Sequence, residues 1–360
     1  MLRAATVLAC VLLIAGGCGG GDDSAAAHTN EDVLAAVDGL RGDELTAKLV
    51  ELAGDEDGRL QMYSSLSDEV GEQIADRFAK KYDVEVSIYT GNSNDVAERL
   101  AEETAAGRHN ADLVELGTHV LIVLANEGVL AERLPVDTDG VDPEVVGDGW
   151  VAVRHNRFAV SWNSKVVPPG TEPKRWEDLA DPRWNGKLAL ELEDFDWYAG
   201  LRAYWLQQGK SAAEVDRLFG EMVKGAKVIK GHSLLGQLTA SGEVGVAASN
   251  FSHIVDRATK DGAPITWKPV VEPAFLRAQG MGIAAHSRRP ATAALFIQWA
   301  LTEGQELYVQ NGWVPARTSL QAQAGFEQVV LDVKAISAHE MRWAAEYDRL
   351  VRRGTVVAED

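Results

Sequence analysis

From residue 58 onward the apolar residues switch repeatedly between two spacings, and this alternation limits the folds open to the chain. The stretch "RLQMYSS" reads as a strand, and Val70, Ile74 and Phe78 then fall four apart on one helix face. In "DVEVSIYTG" the residues Val84, Val86 and Ile88 share one side, as in a strand. "NDVAERLAEETAAG" returns to helix, "ADLVEL" to strand and "HVLIVLANEGVL" to helix. Strands and helices in this order predict a parallel sheet covered by helices.

Such a sheet places a ligand crevice beyond the carboxyl ends of its strands. The residues there are Tyr63, Ser64 and Ser65 after the first strand, Thr90 to Ser93 after the second, and Glu115 to Thr118 after the third. Ser64, Ser65, Ser93 and Glu115 are therefore candidate ligand contacts. Serine and asparagine also cap ordinary helices, so each residue has a purely structural reading as well.

Past residue 150 the pattern changes. "WVAVRHNRFAVSWNSKVV" alternates like a strand crossing the molecule, and a second set of helices and short strands follows, ending in "EVGVAAS". "APITWKPVVEPAFLRAQGMGIAA" crosses back in extended form, and the rest is mainly helical. This predicts an α/β protein of two lobes joined by two crossovers, with hinges near 151–160 and 262–275. Lobe 1 is expected over 58–152 and 266–360, lobe 2 over 153–265, and a helical preface over 31–57.

The N-terminus has its own logic. Arg3 precedes a short apolar run, and small residues lead directly into Cys18 in "AGGCGGGDDS". This is the layout of a secretory signal over 1–17, too short to span a bilayer. A cysteine at the cleavage site resembles a bacterial lipobox, although Ala15 stands where leucine is usual. Cys10 would leave with the signal, so Cys18 has no partner for a disulfide and is the expected lipid-attachment site. Residues 18–30 then form a solvated tether. The formal net charge is −19 with no dense basic run, which argues against nucleic acid as a partner.

In order and spacing, "YSSLSDE", "YTGNSNDVAERL", "ADLVEL", "WNSKVVPPGTEPKRWEDLADPRWNGKLAL", "GEVGVAAS" and "PATAALFIQWALTEGQELYVQNGWVPAR" resemble bacterial extracellular solute-binding proteins of ABC importers, in the ferric-iron-binding branch. The resemblance covers residues 58 to about 320. It implies a type II periplasmic-binding fold with two crossover hinge segments, a small polar solute held between the lobes, and delivery to a membrane permease. It also implies a monomer exported to the outer face of the cytoplasmic membrane, with no cofactor. Ferric-binding members carry adjacent tyrosines after the strand matching "EVGVAAS". This chain reads "SNFSHIV" there, so no metal ligands are assigned, and the lone His253 reads as a surface or core residue.

Two further segments offer candidates in lobe 2. "ELEDFDWYAGLRAYW" combines Asp194 and Asp196 with Trp197 and Tyr198, a mixture suited to a cationic group. The helical spacing of Trp197, Leu201 and Tyr204 supports a core role instead. Ser249 and Asn250, at the end of "EVGVAAS", occupy the crevice position of the second lobe. An enzyme is the rival reading. However, "YWLQQGKS" lacks the leading glycine of a phosphate loop and "GHSLLG" is not a nucleophile elbow. A ligand sensor is the third reading.

Overall fold

The computed structural model describes residues 28–321, 323–353 and 355–357; the signal, Cys18 and most of the tether lie outside them. Helices α1 (Asn30–Ala36) and α2 (Gly42–Gly54) come first. The expected alternation follows as β1 (Arg59–Ser64), α3 (Asp68–Tyr82), β2 (Glu85–Thr90), α4 (Ser93–Ala105), β3 (Leu113–Gly117) and α5 (Thr118–Asn126). Strand β1 pairs in parallel with both β2 and β3.

A short β4 (Val146–Gly147) leads into the long β5 (Trp150–Asn163). The second unit comprises β6 (Leu188–Glu191), α6 (Phe195–Gln207), α7 (Ala212–Met222), β7 (Lys227–Ile229), α8 (His232–Ser241), β8 (Val246–Phe251) and α9 (Ser252–Lys260). In it, β6 pairs in parallel with β7 and β8. After β9 (Ile265–Thr266), β10 (Ala274–Ile283) runs back through the centre. The chain ends with α10 (Pro290–Leu301), α11 (Gln305–Gln310), β11 (Val314–Pro315), β12 (Gln328–Val330), α12 (Val333–Ser337), α13 (Glu340–Val351) and β13 (Thr355–Val357).

The main strands lie in the order β13-β7-β6-β8-β5-β10-β3-β1-β2. Strands β5 and β10 are antiparallel to each other, to β8 on one side and to β3 on the other. They join the two parallel sets, which makes the molecule two-lobed. The first crossover falls where the sequence places it. The second lies at 274–283, later than expected, because Pro264, Pro269 and Pro273 leave the preceding stretch short of backbone donors for a ladder.

The preface is built into the first core: Val33, Leu45 and Leu49 are buried in one cluster with Met62, Phe78 and Phe296. Every residue of α10 is buried, and α2 packs along it. No side chain of α10's own first turn caps it, and Glu56 supplies the cap instead. Its carboxylate accepts from the backbone N–H of Ala291 at 3.0 Å and of Thr292 at 2.9 Å. The C-terminus corrects the expected lobe assignment. Helix α13 packs on α6, with Tyr347 and Val351 buried in the second core beside Trp197 and Phe219, and β13 extends the sheet at β7. Its apolar stripe finds a matching face there, which spacing along the sequence cannot indicate.

Candidate functional site

A cleft of about 510 Å³ opens between the lobes over the middle of the sheet. Its floor is made by the two crossover strands. Arg154 on β5 lies opposite Gln279 on β10, and Asn156 lies opposite Arg277. Residues two apart on a strand share a face, so all four side chains reach the cleft together.

Both arginines are held. Arg154 is 3 % exposed and donates from Nη2 to Glu115 at 2.8 Å and from Nη1 to Asn156 at 2.6 Å. Its guanidinium sits 4.1 Å from the centre of the Trp313 ring. Arg277 lies against the Phe158 and Phe251 rings at 4.9 and 4.8 Å, and is 3.5 Å from Asp194 and 3.4 Å from Asp196. Burial opposes its charge, yet Asp196, Asp194 and Glu191 hold its pKa above the ordinary value. Among the described residues, the Nε of each arginine is buried without a hydrogen-bond partner.

On the lobe 1 side, Ser65 and Ser93 line the cleft, and the Ser93 hydroxyl accepts the Gly117 N–H at 3.2 Å. Helices α3, α4 and α5 begin at this wall, and neither α3 nor α5 has a side-chain cap. Their free N–H groups and dipoles favour negative charge.

On the lobe 2 side, the His232 ring stacks on Phe251 at 3.7 Å, and its Nε2 is 3.2 Å from Asp194. Glu191 accepts the backbone N–H of Gly231 at 2.9 Å and of Glu193 at 2.6 Å. Burial first, and then the Asp194 charge, push its pKa up to about 7. Glu191, Asp194 and His232 place one ligand-type atom each within 4.8 Å of the others, a set the sequence did not suggest for a metal. Arg277 competes for Asp194, and two backbone donors already occupy Glu191. His253 also lines the cleft, rather than lying at the surface or in a core, and burial lowers its pKa well below the ordinary value.

The sequence candidates separate into three groups. Ser65 and Ser93 reach the cleft. Ser64 and Glu115 do not: both are fully buried behind the wall, where the Ser64 hydroxyl donates to Glu115 at 2.9 Å. Trp197, Tyr198, Ser249 and Asn250 are also absent from the lining. Trp197 packs on Trp176 and Phe219, and Tyr198 on Phe219 and Tyr347, because α6 turns Phe195 toward the cleft and these rings toward α7 and α13. Ser249 and Asn250 are fully buried in β8, and the next residue, Phe251, reaches the cleft instead. The floor residues were missed. The available signal was a shared pattern, arginine then an amide two residues on, in "RHN" and "RAQ" of the two crossovers.

Comparison with known proteins agrees with this fold. The family described as bacterial extracellular solute-binding protein matches residues 73–331. The Fe(3+)-binding periplasmic protein of Serratia marcescens is 21% identical over 268 residues, spanning 72% of this chain and 78% of that protein. Iron-bound HitA from Pseudomonas aeruginosa superposes with a TM-score of 0.66 at 19% identity, covering 80% of this chain and 99% of that one. AfuA from Actinobacillus pleuropneumoniae, with fructose-6-phosphate bound, gives 0.68 at 21% identity, covering 82% and 99%. The chain belongs to the bacterial extracellular solute-binding proteins and has their two-lobed, type II periplasmic-binding fold.

Proposed function

We propose that the chain captures a small polar solute bearing an oxyanion, such as a carboxylate or phosphoryl group, and presents it to the permease of an ABC importer. The observation that carries this reading is the pair of buried, unpartnered Nε–H donors of Arg154 and Arg277 in the cleft floor. Both arginines already face carboxylates, so they act through directed N–H groups more than through net charge. The uncapped starts of α3 and α5 add donors on one wall. A bare ferric ion suits the cleft poorly: no tyrosine is among its lining residues, and of the carboxylates there Asp194 faces Arg277 and Glu191 already accepts two backbone N–H groups. Closure of the lobes about β5 and β10 would bury the solute and make the form the permease accepts.

Thermal unfolding with a panel of carboxylates, phosphates, phosphonates and neutral sugars tests this. Stabilisation should come from members carrying the anionic group. Arg154→Lys keeps a charge opposite Glu115 but deletes Nε, and should weaken binding of the best anion by about tenfold. Stabilisation by neutral sugars alone would refute the reading. The same proposal makes Cys18 a lipid anchor on the outer face of the cytoplasmic membrane. Cys18→Ser should free the protein from membranes or leave an unprocessed precursor, and unchanged fractionation and migration would refute it.

A further inference from the structure

We infer that Glu115 is a positioning residue of the site: without touching the solute, it fixes Arg154 and the Ser65 loop as one unit. This rests on the oxyanion reading of the floor. Glu115 is fully buried and absent from the cleft lining. Four groups surround its carboxylate, and all four donate to it: Arg154 Nη2 at 2.8 Å, Ser64 Oγ at 2.9 Å, Ser65 N at 3.3 Å and Ser65 Oγ at 3.4 Å. An ionised carboxylate is acceptor-only and matches such a set, whereas an amide must turn a donor toward donors.

The pair also reaches far. Glu115 lies in the middle of β3 and Arg154 on β5, with β10 between them, so the ion pair spans roughly 10 Å of sheet at ordinary strand spacing. It ties a crossover strand to lobe 1. Arg277, on the other crossover, is tied instead to Asp194 and Asp196 at the start of α6 in lobe 2. Glu115 and Asn156 each accept one N–H from the two Nη atoms of Arg154, which fixes the guanidinium, while the Nε–H has no partner. An anion that accepts from both arginines would therefore be anchored to both lobes.

The test uses the full chain, inorganic phosphate as the probe, and Trp313 fluorescence. Glu115→Gln keeps the side-chain size. It should weaken phosphate binding by about tenfold. It should also change the emission of Trp313 without any ligand, because Arg154 leaves the ring it covers; subtracting the matching Trp313→Phe proteins isolates that signal. Glu115→Asp keeps the charge but is too short to reach Arg154 and the serines together, and should show the same two changes if Glu115→Gln does not fold. Parent-like phosphate affinity together with unchanged Trp313 emission in the folded variant would overturn the positioning role. If the parent chain and Arg154→Lys bind phosphate equally or not at all, the oxyanion reading falls, while the ligand-free Trp313 signal still decides the role of Glu115.

Discussion

Arg154 and Arg277 stand on neighbouring antiparallel strands, yet their carboxylate partners come from opposite lobes: Glu115 in the middle of β3, and Asp194 with Asp196 at the start of α6. The floor of the cleft is thus wired to both halves of the molecule before any solute arrives. Removing one member of a buried pair leaves an uncompensated charge, so these groups cannot be exchanged singly without cost.

Trp197 tests where the second lobe keeps its aromatic residues. It is fully buried against Trp176 and Phe219. Trp197→Ala should lower stability by about 3 to 5 kcal/mol through lost contacts and a residual cavity. Stabilisation by a bound solute should be unchanged. Denaturant unfolding with and without the solute measures both quantities.

Ser93 and Asn250 should behave differently. Ser93 lines the cleft and Asn250 does not. Ser93→Ala should weaken solute binding by roughly two- to tenfold. Asn250→Ala removes the side chain that accepts the Phe251 N–H at 2.8 Å and should act on stability, with affinity near that of the parent. Titration calorimetry on both variants provides the comparison.

Glu191 should make stability depend on pH. Its folded pKa, about 7, lies above the ordinary carboxyl value, so the folded chain holds this proton more tightly than the unfolded chain. The resulting stability is fully present below about pH 4.5 and is lost as pH rises through about 7. Glu191→Gln should flatten that slope in melting temperatures taken from pH 5 to 8. A slope equal to the parent's would assign it to other groups.

Ferric ion gives an optical test. Iron bound to tyrosinate produces a visible charge-transfer band. No tyrosine lines this cleft: Tyr198 is packed against Phe219 and Tyr347. Adding a ferric chelate should yield no such band, and a strong one would show that a buried tyrosine had moved to the metal.

Much of this architecture is written locally. The spacing of Val70, Ile74 and Phe78 and the alternation of Val84, Val86 and Ile88 determine a helix and a strand, because each pattern suits only one backbone period. Repeated in order, these elements determine a parallel sheet, and the sheet's polarity places Ser65 and Ser93 at one crevice. The floor was decided elsewhere. Arg154 and Gln279 are more than 120 positions apart, and only the antiparallel register of β5 and β10 sets them side by side. The same holds for Trp197 and for Asn250. Their spacing was compatible with either face of an element, and the arrival of α13 on α6, far along the chain, fixed Trp197 in the core. Periodicity reports which residues share a face. Which face meets solvent, a second core or a solute is a matter of packing between distant segments, where burial and charge pairing are decided together.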